Sequence, residues 1–383
     1  MKFMGEFVDE IDRKRDQLSR LFGLDEKVQE EVELLGAELE RRWRPLPEPK
    51  TVYEPEFSVD SSSAYRSLSN GLDFLIVRAL ILGTGGYRRP MLRFEAVKGI
   101  SEYSVASDFE RVMRELLEVE IVLDNIGDVP SGGVVLIDGN LYGRYTHALR
   151  EIGLAGWHHL PLELLYAMWT LYEECAERGI MLVGVSKFSK TRALTSALLP
   201  GRSRDTRFLD VELLYRKKTG ETGYTEPLLL GEYGVDPRVK NMYGSPDRMR
   251  ERLFRGVPER LHGFAEEVLE KVPSFPAIVM FHIIPRENAQ PMRVDIPASL
   301  IGLDKKISDV NPFEFVDWRH ADGVARQITA AFGGRDVYNA LLYIVDKEVR
   351  LSAKAVDTVY RSVLGRELGV SIEYDRSTRR FTY

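Results

Sequence analysis

Two short apolar runs, each ending on an aspartate, constrain this chain more than anything else in it. FSVD closes on Asp60 and VVLID closes on Asp138. Between them lie two further strand patterns. Phe74–Leu82 (FLIVRALIL) is rich in branched residues, and Met91–Val97 alternates Leu92, Phe94 and Ala96 on one face. Gly83, Gly85 and Gly86 mark the turn between these two, so residues 56–97 read as an antiparallel three-strand meander. A helix follows from about Val105 to Asn125, with Gly127 just beyond its end. Pro130, Gly132 and Gly133 form the loop into VVLID. The order is therefore strand, strand, strand, helix, strand.

That order predicts an α/β protein with an RNase H-like mixed sheet flanked by helices, in which the first and fourth strands are neighbours. Another helix, Leu160 to Arg178 closed by Gly179, leads to a fifth strand, Met181–Ser186. Strands joined through helices pair in parallel with right-handed crossovers. Strands one, four and five should be parallel, with either strand four between one and five or strand one central. Around this core (residues 51–190) the sequence predicts three additions. Residues 1–50 are an N-terminal helical element, with two helices before Pro45, Pro47, Pro49 and Pro55. Residues 191–275 are an insertion carrying basic clusters and a helix near 246–271. Residues 276–383 extend the sheet through Ala277–Ile284 and Met292–Ile296. They then add helices over 336–350 and 351–365 and a small strand or hairpin over 372–383.

Of the 383 residues, 44% are hydrophobic and 29% charged, which describes a globular chain able to bury a substantial core. No run approaches 18 uninterrupted apolar residues and the charged N-terminus lacks a signal-peptide apolar region, so a cytoplasmic protein without a membrane span is expected. A single cysteine, Cys175, excludes an intrachain disulfide and any multi-cysteine zinc site. Net charge is −6, yet basic residues cluster at Arg202–Arg207, Arg216–Lys218 and Arg248–Arg255. Nucleic-acid affinity follows such local patches more than net charge.

Asp60 and Asp138 converge if strands one and four are neighbours, and Ser61 and Gly139 beside them leave room for a substrate backbone. Carboxylates are the hard ligands that Mg²⁺ and Mn²⁺ prefer, and paired ions held this way cut phosphodiesters. A lone strand-end aspartate is ordinarily a turn or cap residue; it is the topological order that carries the argument. A third acid comes from the helix. Glu120 follows Leu116 and Leu117 by four and three residues and falls in the apolar stripe, where an unpaired acid is costly. Glu120 is therefore the expected ligand and Glu118 the alternative. His158 and His159 are adjacent at a helix start and diverge by about 100°, so they do not converge on one ion.

Several motifs together resemble the NurA family of archaeal nucleases. They are VDSSSA at 59–64, the helix acid near Glu120, LIDGNL at 136–141, GVSKFSKT at 184–191, RVDIP at 293–297 and YNALLYIVDKEVRL at 338–351. The resemblance implies a homodimer that cuts DNA with Mn²⁺ or Mg²⁺, both as a single-strand endonuclease and as a 5′→3′ exonuclease. It implies a role in DNA end resection with a HerA-type hexameric translocase, acting on single strands and duplex ends. Asp60, Glu120 and Asp138 match the family's metal-binding acids, and Tyr338 matches a functional tyrosine. Asp346 stands where the family commonly has a histidine, and cannot supply imidazole acid–base chemistry at neutral pH. Lys187 in GVSK is a candidate DNA contact. Asp295 either approaches the metals or pairs with Arg293. Two other classes share parts of this pattern. An actin-like nucleotide phosphotransferase would need glycine-rich phosphate turns, which VDSSSA lacks. An inactive scaffold binding DNA or a translocase would not need the acidic trio.

Overall fold

The computed structural model describes residues 3–21, 26–48, 55–98, 102–199, 208–232, 254–334 and 337–374, and residues 100, 247, 250 and 251 besides. Helices α1 (Met4–Arg13), α2 (Arg15–Leu21) and α3 (Glu26–Arg41) come first, followed by the two-residue strand β1 (Trp43–Arg44). The sequence predicts two helices here; there are three, because the charged pair Lys14-Arg15 interrupts the apolar repeat and Lys14 leaves helical geometry. The meander is β2 (Glu56–Ser67), β3 (Leu72–Gly83) and β4 (Tyr87–Lys98). Then come α4 (Tyr103–Asn125), β5 (Val134–Asp138), α5 (Leu141–Ala148), α6 (Leu160–Arg178) and β6 (Met181–Ser186).

The insertion supplies α7 (Ala193–Leu198), α8 (Asp210–Lys218), β7 (Gly223–Thr225), β8 (Leu228–Leu230) and α9 (His262–Lys271). The helix expected over 246–271 is cut short by Gly256 (φ +77°) and Pro258, which end any helical run before His262. Strands β9 (Ile278–Ile284), β10 (Met292–Pro297) and β11 (Phe313–Phe315) follow, then helices α10 (Arg319–Ala330), α11 (Ala340–Val349) and α12 (Arg361–Leu368). Of the expected C-terminal strand, Tyr374 bridges Leu68; residues 375–383 lie outside the described residues.

Among the described residues, all eleven strands join one mixed sheet. Its main order is β1-β7-β9-β10-β6-β5-β2-β3-β4, with β8 and β11 attached beside β9. The centre is RNase H-like: β5 lies parallel between β2 and β6, and β2 runs antiparallel to β3. Strand four thus sits between strands one and five, the first of the two arrangements the sequence left open.

Side-chain alternation sorts the two faces. Phe57, Val59, Val135 and Ile137 pack against α4, α5 and α6. Val134, Leu136, Val183 and Val185 pack on the opposite face against α10 and α11. The apolar stripe of α3 (Val28, Val32, Leu35, Leu39) docks on Leu194 and Leu198 of α7 and on Leu213 and Leu214 of α8. Among the described residues no helix is long and apolar enough to cross a membrane.

Candidate active site

The parity that buries Val59 and Ile137 against α4 turns the next residue of each strand to the other face. Val59 pairs with Ile137, so Asp60 and Asp138 emerge side by side toward α11. Asp138 ends β5, as the sequence suggests. Asp60 does not end its strand: β2 continues seven residues further, because Ser61, Ser62 and Ser63 are small and keep pairing with β3. The truncation of β5 beside a longer β2 opens the cleft. Its volume is about 420 Å³, and Asp60, Asp138, Arg114, Asp346 and Arg350 are among its walls.

The turn after Asp138 is tight. Gly139 takes φ +108°, and the Asn140 side chain accepts from Gly143 N to start α5. Across the sheet, a Cβ on Gly184 would meet Gly139 O at 2.7 Å and Leu141 N at 3.1 Å. The glycine of GVSK therefore lets the LIDGNL turn pass close to β6.

Asp138 is held by two partners. Tyr338 donates to its Oδ2 at 3.0 Å, and Lys187 Nζ lies 3.3 Å from the same oxygen. Lys187 Nζ also sits 3.7 Å from the Tyr338 ring centroid, a cation–π contact. Burial, with Asp138 and Asp60 nearby, pushes the Tyr338 hydroxyl well above its usual range, so it stays protonated and donates. Asp60 is nearly buried, and its Oδ1 accepts from Ser61 N at 2.7 Å. Burial first, then Glu118 and Asp138, push its carboxyl up to about 8.

The structure does not bring Glu120 into the cleft. Its carboxylate accepts two hydrogen bonds from Arg93 on β4, at 2.8 and 3.0 Å. The acid that α4 delivers beside Asp60 is Glu118, 3% exposed. Glu118 accepts from Ser61 Oγ and pairs with Arg144 at 2.5 Å. The apolar stripe misleads here because α4 is covered twice, by the sheet and by α6. Leu116, Leu117, Val119, Ile121 and Val122 are all buried, leaving no single face to read. Arg114, one turn before Glu118, donates to Ser61 O at 2.9 Å, and Arg144 donates to Asp138 O at 2.8 Å. Both arginines escape a search for acids. The i, i+4 spacing of Arg114 and Glu118 on one helix face was the available signal for the first. Among the described residues, no three His, Cys, Asp or Glu side chains converge closely enough to hold a metal ion as they stand.

Asp346 on α11 lines the cleft. Asp295 does not: it is buried on β10, pairs with Arg293 at 2.7 and 3.0 Å, and accepts from Tyr142 N. Of the basic clusters, Arg216 pairs with Glu212, Lys217 with Glu33, and the buried Lys218 with Glu40 and Glu221. That cluster ties α8 to α3 and to the turn after it. Arg202–Arg207 lie outside the described residues, as do Arg248 and Arg252, while Arg250 pairs with Asp247 and Glu266.

Sheet order and the neighbouring acids place the protein in the RNase H-like class. Residues 56–310 match the NurA domain, two thirds of the chain, and the protein belongs to the NurA family of nucleases. The NurA nuclease from Sulfolobus solfataricus superposes with a TM-score of 0.59 at 14% identity, over 95% of this chain and 97% of that one. A NurA structure bound to dAMP and manganese gives 0.57 at 14% identity, over 92% and 97%. No curated protein sequence matches the chain.

Proposed function

We propose that this protein is a divalent-metal-dependent deoxyribonuclease. It cuts single strands internally and digests ends 5′→3′, in DNA end resection alongside a HerA-type translocase, and it works as a homodimer. The observation that carries the chemistry is the side-by-side placement of Asp60 and Asp138 in one cleft, with Glu118 bonded to Ser61, the residue after Asp60. The donor set suits the group: three carboxylates and no thiolate or imidazole favour Mn²⁺ or Mg²⁺. Burial, then the nearby Glu118 and Asp138, raise the Asp60 carboxyl to about 8, which is the burden a cation relieves. Asp60, Asp138 and Glu118 would hold the ions, which when bound polarise the phosphate and lower the pKa of the attacking water.

The remaining tasks fall to this chain's own side chains. Lys187 brings a fixed positive charge to the cleft beside Asp138 and suits a phosphate oxygen of the strand. Tyr338 orients Asp138 through its hydrogen bond. Arg114 and Arg350, both in the cleft wall, receive the neighbouring backbone phosphates. Asp346 contributes charge or a ligand oxygen rather than proton transfer. The manganese and dAMP in a solved NurA structure support this reading, as does membership of a nuclease family.

The test is cleavage of labelled single-stranded DNA with Mn²⁺, Mg²⁺ or EDTA, comparing the wild type with Asp138→Asn. Metal-dependent cutting that falls by about 10³-fold or more in the variant is expected, in line with removing one catalytic group from a cooperating set. Folded wild type that cuts nothing with either metal would leave the scaffold reading in its place.

A further inference from the structure

A second cavity, also about 420 Å³, has Lys187 in its lining, and the Nζ of that lysine lies 3.3 Å from Asp138 in the catalytic cleft. Its chemistry differs sharply from the cleft's. Phe188 and Tyr215 form part of its lining with Val211 and Pro291. The two aromatic residues are 76% and 65% exposed, the former directly after Lys187 and the latter on α8. Its charged members other than Lys187 are Glu212 and Arg216, which neutralise each other at 3.0 Å. The cavity is thus an aromatic, apolar recess bordered by the lysine that reaches Asp138.

Large aromatic rings left in water beside an active site mark a binding surface. The occupant follows from continuity with the cleft. A strand whose phosphate sits at Lys187 must place the adjoining base within a side-chain length of Phe188. Flat, sequence-tolerant π surfaces next to a phosphate-binding cation are the elements of single-strand recognition.

We propose that Phe188 and Tyr215 form a base-stacking shelf that receives the unpaired nucleotide adjoining the scissile phosphate. The inference rests on the nuclease reading and adds a substrate requirement to it: the base entering the shelf must be unstacked from a duplex. The shelf therefore selects single-stranded or frayed DNA and ignores base identity.

The experiment measures binding of a fluorescent oligothymidylate in EDTA, where no cutting occurs, to the wild type, Phe188→Ala, Tyr215→Ala and Phe188→Trp. Each alanine variant should bind about tenfold more weakly, and Phe188→Trp should bind as well as the wild type. An oligonucleotide with an abasic residue at the adjoining position should lose the same affinity on the wild type and nothing further on the alanine variants. In parallel, wild-type cleavage with Mn²⁺ reads the nuclease assignment by itself. Cutting by the wild type with unchanged binding by both alanine variants overturns the shelf and leaves the nuclease standing. A wild type that binds no single strand overturns the shelf as well. Variants that change the oligomeric state while keeping strand affinity show instead that the recess seats a second copy of the chain, and also overturn it.

Discussion

At the residue scale the question is which acid α4 contributes. Glu118 and Glu120 are two positions apart, about 200° around the helix, so they cannot both face Asp60. Glu118 is paired with a fully buried Arg144 whose guanidinium Glu118 and Glu115 hold firmly protonated against the cost of burial. Glu118→Gln should therefore act twice. On the proposed function it should cut cleavage by about 10²-fold or more, as the loss of a proposed metal ligand. It should also destabilise the fold by about 3 kcal/mol, because Arg144 is left without its closest counter-charge. Glu120→Gln breaks only a half-exposed pair with Arg93 and should cost less than about 1 kcal/mol, with cleavage within about threefold of wild type. Urea unfolding gives the stability terms, and cleavage assays at a temperature where each variant is folded give the rates. Loss of cutting confined to Glu120→Gln would reverse the assignment.

At the element scale the cleft depends on how α11 is fastened to β2. Asn339 caps α11 by accepting from Leu342 N at 2.9 Å, while its amide donates to the fully buried Glu56 at 3.0 Å. Gln327 of α10 donates to the other Glu56 oxygen at 2.9 Å. At the far end, Leu351 N donates to Ser62 Oγ, two residues from Asp60 on the same strand face. Asn339→Ala removes both the cap and a partner of a buried carboxylate, so a loss of about 2–3 kcal/mol is expected. Tyr338 precedes the cap directly, so cleavage should drop even where the variant is fully folded. Thermal unfolding together with rates measured well below the transition separates the two effects. Unchanged stability would mean that Asn339 does not carry this junction. None of this was legible in the sequence, since Glu56 and Asn339 are 283 positions apart and polar residues leave no period. The RNase H-like core was legible because its strands are short branched runs of one polarity. Asp60 and Asp138 were legible for the same reason, each being the first charged residue after a run whose parity is set by burial. Glu118 was not, because α4 is apolar almost all round.

At the scale of the whole molecule, one buried pair joins the sheet to the insertion. His282 on β9 is fully buried with Asp210 of α8 at 3.9 Å and Arg293 facing it from β10. Asp210 accepts from Leu194 N, Thr195 N and Thr195 Oγ1, which ties α7 to α8. Burial and Arg293 lower the imidazole to about 3, and burial raises the Asp210 carboxyl to about 6. The two act on stability in opposite senses. A histidine depressed in the folded state makes the unfolded chain the better proton acceptor between about 3 and 6.5, so it costs stability as pH falls through that window. An aspartate raised in the folded state contributes stability below about 4 that is lost as pH rises through 6. Between pH 4 and 6 the terms nearly cancel, and the wild type should show almost no slope from this pair. Removing one partner exposes the other. His282→Phe should grow more stable as pH falls from 6 to 4, by up to about 3 kcal/mol at 1.4 kcal/mol per unit. Asp210→Asn keeps an oxygen for the amides of α7 and should lose a similar amount over the same interval. Urea midpoints for the three proteins at pH 4, 5, 6 and 7 decide it. Slopes of opposite sign in the two variants would show that this junction titrates as a compensated pair, whereas parallel slopes would mean that neither group changes protonation on unfolding as its burial demands.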